Sequence, residues 1–200
     1  MRLVAAGSDG VHGHAMLYLL GGASRAGKSK LARRLLVARQ VPYLPIDILM
    51  MGIANGLPVA GIDPDAAEVV IGERLWPVVR AMAVNVLEES YDFLFEGAAL
   101  QPRHAAELHQ AWGEAVRICF IGYTSADPVR KRREIRGFGG EANDWVRQHT
   151  DAQLDGLITE MLAYSRFLKE ECRQYSLPYV DGSADFLDAL DRAFAILTAP

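Results

Sequence analysis

The first clear pattern along the chain is Ala15-Met16-Leu17-Tyr18-Leu19-Leu20, an unbroken apolar run that stops at Gly21-Gly22. A run without polar alternation predicts a strand buried on both faces, as in a parallel sheet. From Ser29 to Arg39 the spacing turns helical, with Leu31, Leu35 and Leu36 on one side and Arg33, Arg34 and Arg39 on the other. Pro42 to Asp47 predicts a second, short strand whose prolines place it near an edge. Residues 64–89 read as largely helical, with Pro64 as opener and Pro77 as a kink or division. Tyr91 to Phe95 predicts a third strand closed by Glu96-Gly97, Pro102 to Trp112 a helix, and Val116 to Ile121 a fourth strand. Asp127 to Arg136 predicts a basic helix ending at Gly137, with Gly139 and Gly140 close behind. A helix over 151–175, a fifth strand at Pro178 to Asp181 and a helix from Ala184 to Leu197 complete the chain. Strands alternating with helices predict a three-layer α/β fold around a parallel sheet. Residues 1–14 read as a loose lead-in and 15–200 as a single domain.

Charge and composition narrow the classes. The 200 residues carry 21 basic and 25 acidic side chains, a net charge of −4, so the broad attraction that non-specific nucleic-acid binding needs is missing. Two cysteines, Cys119 and Cys172, have no CxxC spacing, which predicts neither a disulfide framework nor a zinc site and suits a reducing, cytoplasmic setting. No run reaches the roughly 18 apolar residues of a membrane span, and the Leu3-Val4-Ala5-Ala6 patch is too short for a signal peptide.

The strongest chemical signal is Gly22-Ala23-Ser24-Arg25-Ala26-Gly27-Lys28-Ser29, which fits GxxxxGK[ST] at every fixed position. Glycines let the backbone fold back so that successive N–H groups point at phosphate oxygens, and the following helix adds the positive end of its dipole. Lys28 is then expected to reach the β- and γ-phosphates and Ser29 to ligate Mg²⁺, with Lys30 flanking the loop. The buried strand before it and the helix after it are the context this motif requires. Although arginine outnumbers lysine 17 to 4, this position is lysine.

Open α/β sheets bind ligands at the carboxyl ends of their strands, where two acids are expected. Asp47 is a candidate general base for a substrate hydroxyl, or else an N-cap of a helix starting at Ile48. Glu96, after Phe93-Leu94-Phe95, is a candidate for holding Mg²⁺ through water or gripping a substrate hydroxyl, with Gly97 permitting close approach; the alternative is a solvated loop acid. Arg103 could hold an anionic group of the acceptor or sit on a surface helix. Arg130, Lys131, Arg132, Arg133 and Arg136 crowd into seven residues. Arg133 and Arg136 share a helix face that Arg130 extends, while Arg132 points elsewhere. They suit a lid at about 126–145 that neutralises charge on a transferring phosphoryl group, or a solvated face. His104 and His109, five apart, read as surface residues, and none of the five histidines has metal-ligand spacing.

Taken together, the GGASRAGKS loop, the Asp ending the second strand, FLFEGAALQP after the third and the arginine segment resemble the P-loop kinases of small molecules and nucleotides. The resemblance is closest to 2-phosphoglycerate kinase-like proteins, through the Glu-Gly pair with Pro a few residues on and the Arg133-x-x-Arg136 spacing. Chloramphenicol phosphotransferase and zeta toxins are similar in size and in the acid after strand two. The resemblance implies a P-loop NTPase fold with a five-stranded parallel sheet in 2-3-1-4-5 order and a helical arginine lid. It also implies ATP with Mg²⁺ as donor, Asp47 as base and adenine near Asp181-Gly182-Ser183. The expected partner is a small-molecule acceptor, with the protein a monomer or homodimer. A nucleotide kinase with a phosphate acceptor and a nucleotide-dependent switch are the alternatives.

Overall fold

The computed structural model describes residues 16–138 and 148–199. Strand β1 (Leu17–Gly22) is buried at every residue, as its unbroken apolar run requires. It pairs in parallel with β3 (Phe93–Gly97) on one side and β4 (Val116–Gly122) on the other. Beyond them lie β2 (Tyr43–Pro45) next to β3 and β5 (Tyr179–Asp181) next to β4, so the order is β2-β3-β1-β4-β5 with all strands parallel. This is the expected sheet.

Alternation of side chains across β1 divides the core. Tyr18 and Leu20 face a layer built by α1 (Lys28–Arg39), α7 (Phe186–Thr198) and the first half of α6 (Asp151–Gln174). Leu17 and Leu19 face α3 (Glu68–Glu88), α4 (Pro102–Trp112) and the second half of α6 through Leu168 and Cys172. Both cysteines are buried and neither is in a disulfide. Among the described residues, no helix is long and apolar enough to cross a membrane.

Four boundaries differ from expectation. Strand β2 stops at Pro45, and α2 (Ile46–Gly56) begins at once, so Asp47 lies in the first turn of a helix and caps none. Strand β3 runs two residues further and contains Glu96 and Gly97. Pro64 does not open α3, which starts at Glu68, and Pro77 does not divide it. Pro77 and Glu73, whose carbonyl it deprives of a partner, are both exposed, so water can satisfy that carbonyl. Meanwhile Ile71, Leu75, Val79, Ala83 and Leu87 keep the buried stripe continuous. Finally, α5 (Pro128–Phe138) continues through Gly137. The rest of the lid expected at 126–145, including Gly139 and Gly140, lies outside the described residues, as does the 1–14 lead-in.

Two helical glycines make opposite predictions. A Cβ at Gly72 would lie 2.3 Å from the Ala99 carbonyl oxygen, which is backbone and cannot yield, whereas Gly156 in α6 meets nothing within 4 Å. Gly156→Ala should raise stability by about 0.5–1 kcal/mol through helix propensity, while Gly72→Ala should lower it by about 1–3 kcal/mol through overpacking. Urea unfolding of the two variants checks the opposite signs.

Candidate active site

Three left-handed residues shape the turn between β1 and α1: Gly22 at φ 146°, Arg25 at φ 61° and Gly27 at φ 99°. The Ala23 N–H donates to the Ile121 carbonyl at 3.1 Å, tying the loop to β4. Lys28 folds back over the turn, and its Nζ donates to the carbonyls of Gly22 (3.0 Å) and Ala23 (2.9 Å). The residue is only 8% exposed. Burial pushes its pKa down, while the charges of Glu96, Asp47 and Glu68 push it back up. Lys30, on the first turn of α1, lies with its Nζ over the Phe186 ring.

Glu96 is no solvated loop acid. It is the penultimate residue of β3, 3% exposed, and its Oε1 accepts from the Ser29 hydroxyl at 2.9 Å. Burial raises its pKa, and the Lys28 charge with the Ser29 bond works against that rise. Gly97 beside it serves packing rather than ligand approach, because a Cβ there would lie 2.1 Å from Ile46 Cγ1. The β2–β3 register sets Pro45 opposite Glu96, which brings the exposed Asp47 to the same edge, where its charge acts on both Lys28 and Glu96. Lys28, Ser29, Asp47 and Glu96 are therefore gathered at one end of the sheet. Among the described residues no cluster of three or more His, Cys, Asp or Glu forms a ready-made metal site. A hydroxyl bonded to a buried carboxylate does fit Mg²⁺, which takes few protein ligands and keeps phosphate oxygens and water.

Sequence reasoning missed three residues on this edge. Glu68, in the first turn of α3, contributes a third negative charge acting on Lys28. Gln101, 1% exposed, donates to the Ala99 carbonyl at 3.3 Å and to the Tyr164 hydroxyl at 2.9 Å. Tyr164 in turn donates to the Ala98 carbonyl at 2.6 Å. This pair braces the segment that follows Glu96. No local signal marks Tyr164, which is 66 residues from its partner Ala98.

The cations distribute differently from their predicted faces. Arg103, on the first turn of α4, is ion-paired with Glu73 of α3. Arg132 reaches Asp155 at 2.5 Å and Arg136 reaches Asp151 at 3.1 Å, both on α6. These two, four apart, form the face that Arg136 had been expected to share with Arg133 and Arg130. Arg130 donates to the Ser183 carbonyl in the loop after β5. That loop is laced to β4: Asp181 accepts from Thr124 and Ser183, and these bonds outweigh burial to hold its pKa at about 2. Arg133 is exposed and makes no hydrogen bond or ion pair with a described residue. Lys131, counted in a solvated run, is instead 5% exposed, with Nζ 3.3 Å from the Arg25 carbonyl and 3.9 Å from the Tyr123 ring centroid.

At the level of sequence, no family model and no curated protein matches the chain. Solved structures do resemble it. A shikimate kinase from Bacteroides thetaiotaomicron has a TM-score of 0.55 at 14% identity, covering 88% of this chain and 95% of its own. A gluconokinase from Sinorhizobium meliloti 1021 has a TM-score of 0.55 at 16% identity, covering 92% of each chain. A shikimate kinase from Aquifex aeolicus has a TM-score of 0.50 at 15% identity, covering 91% of this chain and 96% of its own. With the strand order and the loop after β1, these likenesses establish the α/β P-loop fold.

His104 corrects the reading of a surface histidine. It is 6% exposed, stacks on Trp76 with ring centroids 4.5 Å apart, and its Nε2 lies 3.0 Å from Glu73 Oε1. Burial first, and the charge of Arg103 second, lower its pKa from 6.5 to about 4. The unfolded chain then binds the extra proton at a higher pH than the folded one, so stability falls as pH drops from about 6.5 to about 4. His104→Phe should flatten that part of the profile, checked by urea midpoints across the pH range for both proteins.

Proposed function

We propose that the chain is an ATP- and Mg²⁺-dependent kinase transferring the γ-phosphoryl group to a hydroxyl of a small acceptor. The observation that carries this reading is the juxtaposition, at the carboxyl end of β1 and β3, of a buried lysine, a Ser29 hydroxyl bonded to Glu96, and the exposed Asp47 carboxylate. Lys28 has three donors and spends two on loop carbonyls, which leaves one for a phosphate oxygen. Ser29 and Glu96 would hold Mg²⁺, which would supply charge neutralisation for the donor's phosphates. Asp47 accepts the acceptor's hydroxyl proton as the new O–P bond forms and the bond to the departing ADP breaks. Gly22 to Ser29, with Lys30 at the flank, would cradle the donor, and Arg133 would meet charge on the transferring group.

The names of the similar folds, shikimate kinase and gluconokinase, support the same class here. The Glu96-Gly97 pair and Arg133-x-x-Arg136 keep the likeness to 2-phosphoglycerate kinase-like proteins as the finer reading. A nucleotide kinase would need Arg103 for the acceptor phosphate, but Arg103 is paired with Glu73.

Lys28→Ala should lower turnover by at least about a thousandfold with an unchanged far-ultraviolet circular dichroism spectrum. Asp47→Asn should cost about 10²–10⁴ in kcat while leaving affinity for Mg-ATP within about twofold. An equal loss in both would remove Asp47 from the role of base. ADP release measured against panels of polyols, amino alcohols, sugar acids and nucleoside monophosphates tests the acceptor. Stimulation by a nucleoside monophosphate alone would favour the nucleotide kinase, and slow hydrolysis stimulated by nothing would favour a switch.

A further inference from the structure

The carbonyls of four successive loop residues are all taken by side chains. Those of Gly22 and Ala23 accept from Lys28, within the loop itself. The Ser24 carbonyl accepts from the Tyr123 hydroxyl at 2.6 Å, and the Arg25 carbonyl lies 3.3 Å from Lys131 Nζ. Tyr123 follows directly on β4 and is 2% exposed. Lys131 is on α5, and its ammonium lies over the Tyr123 ring and 5.7 Å from the Phe186 ring centroid. We infer that Tyr123 and Lys131 form one clamp that grips the outer turn of the loop from behind, and that Lys131 is a positioning residue for nucleotide binding and not a phosphate ligand.

The geometry gives the clamp its effect. In a trans peptide the C=O and the following N–H point in opposite directions. Holding the Ser24 carbonyl from behind therefore turns the Arg25 amide toward the inside of the turn, where an anion would be bound, while the Ala26 N–H closes the turn by donating to the Ala23 carbonyl at 3.3 Å. Arg25 is left-handed without being glycine, a conformation that persists only where its surroundings impose it. The two clamp bonds fall on that residue and the one before it. A buried ammonium is otherwise expensive, and a methionine could fill much of the same space. Glu134 supplies a counter-charge at 3.7 Å. The neighbouring Arg130 bonds to Ser183 in the loop after β5, so consecutive residues of α5 hold two different loops of the same sheet edge.

This inference rests on reading the loop as a nucleotide site, and the test separates the two. Wild type, Lys131→Met, Lys131→Arg and Tyr123→Phe are titrated calorimetrically with Mg-ATP, and hydrogen–deuterium exchange of residues 23–27 is followed without nucleotide. Lys131→Met and Tyr123→Phe should each weaken Mg-ATP binding by about tenfold, the loss of one buried hydrogen bond. Both should speed loop exchange and leave kcat at saturating nucleotide within about twofold, while Lys131→Arg recovers most of the affinity. Should Lys131→Met not fold, Tyr123→Phe and Lys131→Arg carry the test. An unchanged affinity and exchange rate in Tyr123→Phe, or a loss confined to kcat in Lys131→Met, would overturn the clamp. Wild type that binds no Mg-nucleotide would instead overturn the nucleotide-site reading, with loop exchange still reporting on the clamp.

Discussion

A single ammonium buried at the end of an apolar strand is the constraint around which this sheet edge is organised. Lys28 is 8% exposed beside a strand in which every residue is buried, so its charge needs compensation from within the protein. The loop carbonyls provide part of it. The rest comes from strand order: β3 lies directly beside β1, with Glu96 in register with Leu20, two residues before the loop begins. Had β4 and β3 exchanged places, Cys119 would occupy that register position instead. The 2-3-1-4-5 order is thus an electrostatic arrangement as much as a topological one.

The acids on this edge differ in environment, and their chemistry follows. Glu96 is the penultimate residue of a strand, is nearly dry, and is polarised between Lys28 and the Ser29 hydroxyl. Asp47 is exposed on the first turn of a helix, open to water and to an incoming molecule. A carboxylate fixed by a hydroxyl suits a metal, and a water-exposed one suits exchange of a proton with an incoming hydroxyl. The abrupt passage from β2 into α2 at Pro45-Ile46 separates the two environments. Ile46 fills the space over Gly97 and closes the apolar side, while the next residue faces outward.

Much of this was legible in the chain. Unbroken apolar runs marked the central strands because a parallel sheet buries both faces. The phosphate loop was legible because its backbone shape demands a fixed order of residue types. Less legible was whatever long-range packing decides. Tyr164 meets Ala98 across 66 residues, and no periodicity announces such a contact. Pro77 stays within a helix because a buried stripe outweighs one lost hydrogen bond whose carbonyl faces water. His104 looked like a surface residue because its helix is polar, yet Trp76 from α3 covers it. Lys131 did leave a trace: it lies four residues before Ile135, the apolar residue in the middle of the basic run, so the two share a face, and both are buried. Charge density along the run concealed that phase.

The same phase argument sorts the rest of α5. Arg132 and Arg136, four apart, face α6 and pair with Asp151 and Asp155, next to the Thr150 cap at that helix's start. They fasten one helix to another. Arg130 faces the loop after β5, and Lys131 faces the phosphate loop. A helix held on three sides presents its remaining face to solvent, and Arg133 is the arginine on it, between the exposed Val129 and Gly137 and unpaired among the described residues. Of the two arginines spaced like a lid pair, Arg136 is occupied in holding α5 in place. A cation that must meet charge developing on a ligand has to be free of an internal carboxylate beforehand, since exchanging one partner for another gains little. By that reasoning the proposed role suits Arg133 better than Arg136, and among the described residues the basic run sets one unpaired charge on a scaffold of paired ones.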